Sequence, residues 1–188
     1  YSDSNSSITT LDGGPDNDFF QFGQVFGAER VSIDTAGPGE TPHVAPGDEV
    51  ETVETTLGFL SRGIRFPTTV YGGDGDDLLY GNEGSNFLCG DVGNDRLIAQ
   101  GGTSDTLFGG MGNDTILASQ TRASYLEGGQ GDDLINAGTQ GNATINGGAG
   151  FDTITGNDGG RDANGDDLIW GGGDADWIRG AGGNDTLY

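Results

Sequence analysis

The sequence lacks several features on which common classes of protein depend. Among 188 residues it has no lysine, one histidine and one cysteine, Cys89, which therefore cannot form an internal disulfide. No apolar run approaches the roughly 18 residues that span a bilayer. The 30 acidic residues outnumber the seven basic ones and give a net charge of −23, which repels nucleic acid and anionic membranes. We therefore expect no nucleic-acid partner and no membrane span, and we expect the chain to attract cations.

Recognisable catalytic motifs are also missing. The sequence contains no H-E-x-x-H and no G-x-S-x-G, and its single histidine, His43, has no nucleophile beside it. The acidic residues that could serve glycoside chemistry belong to a repeated pattern with a different explanation. We therefore predict that the protein is not an enzyme.

The chain from residue 72 divides into twelve nonapeptide units, such as GGDGDDLLY (72–80) and GGMGNDTIL (109–117). Internal repeats of this kind are the signature of a solenoid. Within a short strand the side chains alternate between faces, so the eighth residue of each unit is expected to point inward. That position is Leu or Ile in every unit: Leu79, Leu88, Leu97, Leu107, Ile116, Leu126, Ile135, Ile145, Ile154, Ile169, Ile178 and Leu187.

These units resemble the G-G-x-G-x-D-x-U-x nonapeptide of the repeats-in-toxin (RTX) family, where U is a large apolar residue. The resemblance covers residues 72–188, and GGPDNDFFQ at 13–21 is an isolated copy. It implies an all-β fold, a right-handed parallel β-roll or β-solenoid with short strands. Six residues of each unit would turn, three would form a strand, and two units would complete one coil. The resemblance also implies Ca²⁺ ions between turns of successive coils.

Two units per coil place alternate units on the same edge of the roll. The sixth position is aspartate in all six odd units: Asp77, Asp95, Asp114, Asp133, Asp152 and Asp176. In the even units it is Asn86, Asp105, Ser124, Ala143, Asp167 and Asp185. Single alanines (Ala99, Ala118 and Ala137) precede three even turns and make the local period 19 residues rather than 18. We predict that one edge keeps its metal ligands throughout and that the other loses them in the middle.

Calcium prefers six to eight oxygen ligands and combines carboxylates with backbone carbonyls. Six odd turns leave five gaps, so we expect about five ions on that edge. Asp167 and Asp185 form a plausible additional site on the other edge, whereas Ser124 and Ala143 should hold no ion. The glycine-rich turns are expected to supply carbonyl ligands from Gly73, Gly75, Gly93, Gly110, Gly112, Gly129, Gly131, Gly148 and Gly150.

The insertion at 156–167 interrupts the period. Asp162, Asn164 and Asp166 have the D-x-N-x-D spacing of a calcium loop, but the glutamate of an EF-hand is missing. A further calcium site at 158–166 and a solvated surface loop are both open interpretations.

The first 71 residues differ from the rest, and all five prolines lie there. The segments ERVSIDT (29–35) and GIRFPTTV (63–70) alternate like strands, and residues 69–71 look like a strand triplet without its turn. We interpret residues 1–71 as an irregular N-terminal β segment, either a cap or degenerate coils, that covers the open end of the roll. A separate small β-domain is the alternative.

The function that these features favour is a non-catalytic extracellular calcium-binding β-roll that folds on binding Ca²⁺. It would be a structural unit of a secreted, surface-layer, adhesin or filament-forming protein, located outside the cell or at its surface. The alternative is a folding and secretion module of a larger secreted enzyme or toxin.

Outward positions of the even units carry a series of aromatic residues: Phe87, Phe108, Tyr125, Trp170 and Tyr188. A row of such side chains along one face forms an apolar strip, and such strips usually contact a partner. Residues 1–70 of the same chain, further copies of the protein in a fibre or lattice, and a glycan are the three occupants left open.

Overall fold

The structure is a computed structural model and describes residues 9–21, 25–26, 52–55, 58–61, 67–118, 123–157 and 165–188. Every regular element in these ranges is a β-strand. No helix in the described part of the chain is long and apolar enough to cross a membrane. The predicted strand segment 29–35, the first four residues of the segment 63–70 and most of the possible calcium site at 158–166 lie outside the described residues.

Two parallel sheets form the walls of the roll. One sheet contains β1 (Thr9–Pro15), β6 (Thr68–Asp74), β8 (Asn86–Val92), β10 (Asp105–Met111), β12 (Ala123–Gln130), β14 (Asn142–Ala149), β16 (Leu168–Gly173) and β18 (Thr186–Leu187) in that order. The other contains β2 (Phe19–Gln21), β7 (Leu78–Tyr80), β9 (Arg96–Ala99), β11 (Thr115–Ala118), β13 (Leu134–Asn136), β15 (Thr153–Thr155) and β17 (Trp177–Arg179). The chain therefore alternates between sheets, with two strands in each coil, and the predicted parallel β-roll is confirmed.

The strand register follows the repeat. Leu97 of β9 pairs with Ile116 of β11, which pairs with Ile135 of β13. This is the 19-residue offset that the inserted alanines indicate. Ala99, Ala118 and Ala137 are themselves fully buried. Each added residue therefore contributes a methyl group to the core at the corner that follows its strand.

The core is a stack of single apolar residues from the two sheets. Ten of the twelve eighth-position residues are fully buried: Leu79, Leu88, Leu97, Leu107, Ile116, Leu126, Ile135, Ile145, Ile154 and Ile169. In the last coil, Ile178 is only partly buried and Leu187 is 47% exposed. The prediction that these residues point inward is thus confirmed wherever another coil lies on both sides.

The isolated copy at 13–21 belongs to the same stack. Strand β1 pairs in parallel with β6, and β2 pairs in parallel with β7. Residues 69–71 lie within β6. Between these elements, β3 (Val25–Phe26), β5 (Gly58–Ser61) and β4 (Thr52–Thr55) form a three-stranded antiparallel sheet. Residues 9–21 therefore add a coil before the first tandem unit.

We predict that Ile116→Ala lowers the free energy of unfolding by about 2–5 kcal/mol, because it leaves a cavity in a core one side chain wide. Leu134→Ala is the matched control: Leu134 is 46% exposed, and its truncation should change stability by no more than about 0.5 kcal/mol. Urea denaturation of the two variants under identical conditions measures the difference. Equal losses would show that the sheet faces are assigned incorrectly.

Candidate metal centre

The aspartates of the odd units stand in one row at the start of the strands of the seven-stranded sheet. Together with Asp18 from the coil at 13–21, they define the aspartate edge: Asp18, Asp77, Asp95, Asp114, Asp133, Asp152 and Asp176. The five members from Asp77 to Asp152 are at most 3% exposed. The row arises because each unit places its sixth residue at the same corner of successive coils.

One oxygen of each carboxylate links two coils. The Oδ1 atom of Asp77 accepts a hydrogen bond from the backbone N–H of Asp18 at 2.6 Å, and Oδ1 of Asp95 accepts one from Asp77 at 2.8 Å. The same contact recurs up to Asp176, at 2.7–3.0 Å. These charge-assisted bonds fix the orientation of the six carboxylates from Asp77 to Asp176.

The second oxygen of these carboxylates has no hydrogen-bond partner. The Oδ2 atoms of Asp18, Asp77, Asp95, Asp114, Asp133 and Asp152 are all buried and unpaired. An unpaired buried acceptor costs about 1–3 kcal/mol, and more when it is charged. Such a row of orphaned oxygens therefore points to a ligand.

The orphaned oxygens lie where glycine leaves room. A Cβ atom on Gly72, Gly90 or Gly109, the first residue of its turn, would overlap Oδ2 of the aspartate in that turn. The same Cβ would lie 2.5–2.7 Å from the carbonyl oxygen of the first glycine in the next coil. A carboxylate and a carbonyl oxygen from neighbouring coils thus converge on the space that the missing side chain leaves. We call this space the glycine cradle.

The oxygens beside the cradle are of the kinds that a hard cation binds. Calcium takes carboxylate and carbonyl oxygens at about 2.3–2.6 Å, and both kinds of oxygen meet here. Within the described ranges, no three His, Cys, Asp or Glu side chains cluster in a way that could hold a metal. A metal on this edge must therefore take backbone carbonyls, as calcium does and as zinc, with its preference for His and Cys, does not.

Burial makes the carboxylate row hard to ionise without a cation. Desolvation is the largest influence and raises the pKa of Asp114 to about 7 and those of Asp95 and Asp133 to about 6. It also raises the pKa of Asp77 and of Asp152. Hydrogen bonds from the backbone oppose the rise, and neighbouring aspartates add to it. A divalent cation between the carboxylates would reverse this balance.

The glycines expected to supply carbonyls have a demonstrable conformational role. All nine, from Gly73 to Gly150, have positive φ, between 111° and 145°. A Cβ on Gly93, for example, would collide with the carbonyl of Gly75 in the preceding coil. Glycine is thus required for the turns to stack, and the role of these carbonyls as ligands stays a prediction.

Two features of this edge were not predicted from the sequence. The first is that the carbonyl oxygens of the first glycines, such as Gly90 and Gly109, lie close to Oδ2 of an aspartate. The leading G of each GGxGxD motif is the signal from which this could have been predicted. A second ladder also runs through the fifth positions, where the Asp76, Asn94, Asn113 and Asp132 side chains each accept a backbone N–H from the next coil at 2.8–2.9 Å.

The opposite edge, which we call the mixed edge, carries Asn86, Asp105, Ser124, Ala143, Asp167 and Asp185. Near its C-terminal end the cradle recurs: a Cβ on Gly156 would overlap both Oδ2 of Asp167 and the carbonyl oxygen of Gly180. The N–H of Asp167 donates to Oδ1 of Asp185 at 3.0 Å. Asp167 and Asp185 therefore repeat the link between coils, but Oδ2 of Asp167 accepts the N–H of Asn157 and is not an unpaired oxygen like those of the aspartate edge.

The middle of the mixed edge differs from this arrangement. Asp105 is fully buried, its Oδ2 has no partner, and burial raises its pKa to about 7. Gln100 stands where the other edge has the first glycine of a turn, and its buried Nε2 is unpaired. The Ser124 hydroxyl is also buried without a partner, and Ala143 offers only a methyl group. These turns lack the carboxylate pairs of the aspartate edge.

The predicted aromatic strip lies on the outer face of the eight-stranded sheet. Ring centroids of Tyr71, Phe87, Phe108 and Tyr125 follow one another at 5.5–5.7 Å. Trp170 and Tyr188 stack at 5.6 Å further along. We call these six residues the aromatic row. Strand β14 contributes Asn146 instead of a ring, and a cleft of about 450 Å³ lies there.

Comparison with known proteins gives one match. A family model described as the RTX calcium-binding nonapeptide repeat (4 copies) matches residues 67–97, 101–120, 122–139, 137–159 and 161–188. These matches cover well over half of the chain and include most of both edges. No curated protein and no solved structure matches the chain.

We predict that Gly109→Ala disrupts the aspartate edge, because its Cβ would occupy the glycine cradle between Asp114 Oδ2 and the Gly128 carbonyl. Gly101→Ala is the matched control, since a Cβ there would meet nothing closer than 3.7 Å. Calcium titration by calorimetry should show weaker or fewer sites in Gly109→Ala alone. Identical titrations of the two variants would contradict the cradle.

We predict that the metal-free protein is more stable in acid. The pKa values of Asp95, Asp114 and Asp133 in the fold lie above their ordinary value of 3.8. The fold therefore binds more protons than the unfolded chain, and this stability is present below about pH 4 and lost as the pH rises through about 6–7. Circular dichroism in a chelator should show more β-structure at pH 4 than at pH 8. Asp114→Asn, which stays neutral, should reduce the difference, and a flat profile in the parent chain would refute the prediction.

Proposed function

The chain belongs to the RTX calcium-binding nonapeptide repeat family, and from this premise we propose that it is a non-catalytic extracellular module that folds when it binds calcium. As a member it is a calcium-binding β-roll. The proposal adds where the ions bind, how many there are, and what they do for folding.

The observation that supports the proposal is the row of buried, unpaired Oδ2 atoms facing the glycine cradles. Seven aspartates from Asp18 to Asp176 enclose six gaps, one more than the five expected from the tandem units alone. We assign one ion to each of these gaps. A further ion between Asp167 and Asp185 gives about seven ions per chain, within the geometry that calcium tolerates.

Coupling between folding and binding follows from the charge of the row. Adjacent buried carboxylates repel one another, and burial disfavours their ionised forms. The unfolded chain leaves them in water, far from one another. Calcium therefore binds the fold in preference to the unfolded chain, and its binding free energy becomes folding free energy. Extracellular modules of this kind bind calcium at about 10⁻⁴–10⁻³ M, which suits a location outside the cell.

A non-catalytic role is supported by what the described carboxylates and thiol do. The row of aspartates is engaged in the hydrogen-bond ladder between coils. Cys89 donates to Oδ1 of Asp91 at 3.1 Å, and burial together with this carboxylate raises the thiol pKa to about 12. The thiol therefore stays protonated at physiological pH and is a poor nucleophile.

Calcium removal tests the proposal. We predict that the chain loses most β-structure in a chelator at neutral pH and regains it at about 10⁻⁴–10⁻³ M calcium. Circular dichroism follows the folding, and native mass spectrometry counts the ions. Asp114→Ala should remove the two ions on either side of Asp114, whereas Ser124→Ala should remove none. A spectrum that is unchanged by the chelator would overturn the proposal.

The aromatic row favours a second role, self-association. Its rings lie on the outer face of a sheet, and Tyr125 and Trp170 are each 38% exposed. Seven calcium ions carry about 14 positive charges and would reduce the net charge of −23 to about −9, so copies of the chain would repel one another less when calcium is bound. We propose that the row contacts another copy in the calcium-bound state. A contact between this face and a different face of the next copy need not close, so a fibre or lattice can result.

We predict that Phe108→Ser with Tyr125→Ser lowers the assembly size in calcium, because the pair removes the centre of the apolar strip. Trp177→Ser is the control, since Trp177 is 57% exposed on the other sheet. Sedimentation velocity measures the size. If the double variant sediments like the parent chain, the aromatic row is not a self-association surface, and coverage by the N-terminal segment or a glycan takes its place.

A further inference from the structure

The first turn of the mixed edge has an amide group where other turns have a carboxylate. Asn86 is 3% exposed, and its Nδ2 donates to the carbonyls of Asn82 at 3.0 Å and Gly84 at 2.9 Å. It also donates to Oδ1 of Asp105 in the next coil at 3.0 Å. The Asn86 Oδ1 atom accepts the N–H of Asn82 at 3.1 Å, which fixes the orientation of the amide. One nitrogen with two N–H groups thus faces three oxygens, so that one of its hydrogens is shared between two acceptors.

These three oxygens are of the types and positions proposed to hold calcium on the aspartate edge. Asn82 and Gly84 are the second and fourth residues of their turn, as Gly73 and Gly75 are in theirs. Asp105 is the sixth-position aspartate of the next coil, as Asp95 is for the turn of Asp77. The N–H groups of an amide carry partial positive charge and bind carbonyl and carboxylate oxygens at about 2.9 Å. The Asn86 nitrogen therefore stands among oxygens that would otherwise surround a cation.

The charge of this turn agrees with that role. Each gap of the aspartate edge has a carboxylate on both sides, although each inner carboxylate is shared with the neighbouring gap. The gap between Asn86 and Asp105 has one carboxylate, and its Oδ1 accepts both the backbone N–H of Asn86, at 2.7 Å, and the side-chain amide. A single buried carboxylate with two donors is a weak site for a divalent ion.

A second asparagine closes the turn on its other side. The Asn82 Nδ2 atom donates to Oγ1 of Thr68 at 2.7 Å, and its Oδ1 accepts the N–H of Gly84 at 2.6 Å. Thr68 pairs with Asn86 in the sheet register. Hydrogen bonds therefore connect three successive coils, from Thr68 through Asn82 and Asn86 to Asp105, without any ion.

We propose that the side-chain amide of Asn86 replaces a calcium ion in the first turn of the mixed edge, so that this turn forms without metal. Asn86 thereby determines where calcium binds, because it keeps the mixed edge free of ions at the end of the roll that the coil at 13–21 adjoins. This inference rests on the proposed calcium sites of the aspartate edge.

Asn86→Asp tests the inference with an almost unchanged side-chain shape. The variant places two carboxylates in the gap and removes the amide donor. Native mass spectrometry of the folded protein in calcium should show one ion more than the parent chain. The calcium concentration at the folding midpoint should rise, because this turn would then also require metal. Asn136→Asp is the matched control: Asn136 is exposed at the end of β13, where its Oδ1 accepts the N–H of Gly138, so the charge change is the same and no ion should be added.

The outcomes distinguish a failure of the proposed function from a failure of the inference about Asn86. If the parent chain binds no calcium, the proposed function is wrong. If the parent chain binds calcium but the Asn86→Asp variant binds the same number of ions, or fails to fold in saturating calcium, only the inference about Asn86 is wrong. Anomalous diffraction from the calcium-loaded parent chain is an independent check. Density for an ion bound to the Asn82 and Gly84 carbonyls would overturn the inference.

Discussion

The stacking of buried carboxylates along one edge of the roll is the constraint on which the rest of the structure depends. A roll made of two short strands per coil must turn twice in every 18 or 19 residues, and each turn must satisfy its backbone groups. The sixth-position aspartate does so by accepting the N–H of its counterpart one coil earlier, for example Asp95 from Asp77. The same hydrogen bond aligns the remaining oxygens in a buried row, where they repel one another. A cation resolves both the desolvation and the repulsion.

The two edges solve this problem differently. The aspartate edge combines glycine at the first position with aspartate at the sixth, so that every coil supplies one cradle. The mixed edge departs from this pattern where the chain inserts Ala99, Ala118 and Ala137, whose buried methyl groups enlarge the core at the corner. In these coils the turn is longer by one residue, and the methyl group of the added alanine is buried at the corner. The sequence break that looks like decay of the repeat is therefore a regular change in the packing of the turn.

Much of this arrangement could be predicted because register in a parallel solenoid copies the sequence period. Leu or Ile at every eighth position and aspartate at alternate sixth positions map directly onto the core and one edge. Contacts between coils could not be predicted in the same way. Gly156 occupies the first position of the turn that ends in Asp167, although a nonapeptide leaves only four residues between its first and sixth positions. In the sequence, Asn86 likewise looks like a sixth position that has lost its carboxylate ligand. Only its contacts with Asn82, Gly84 and Asp105 show that its amide nitrogen lies among three oxygens.

The aromatic row depends on the same turns, although it lies on a different face. Its ring contacts of 5.5–5.7 Å join side chains on successive strands, such as Phe87 of β8 and Phe108 of β10. These strands are adjacent only when the coils stack, and the coils stack only when the turns are ordered. An unfolded, calcium-free chain would present the same residues singly and would keep its full charge of −23. Under the proposed coupling of folding to calcium binding, calcium would create the apolar surface and lower the repulsion across it in one step, so contacts made through this face would be conditional on the metal even though no proposed ion lies there.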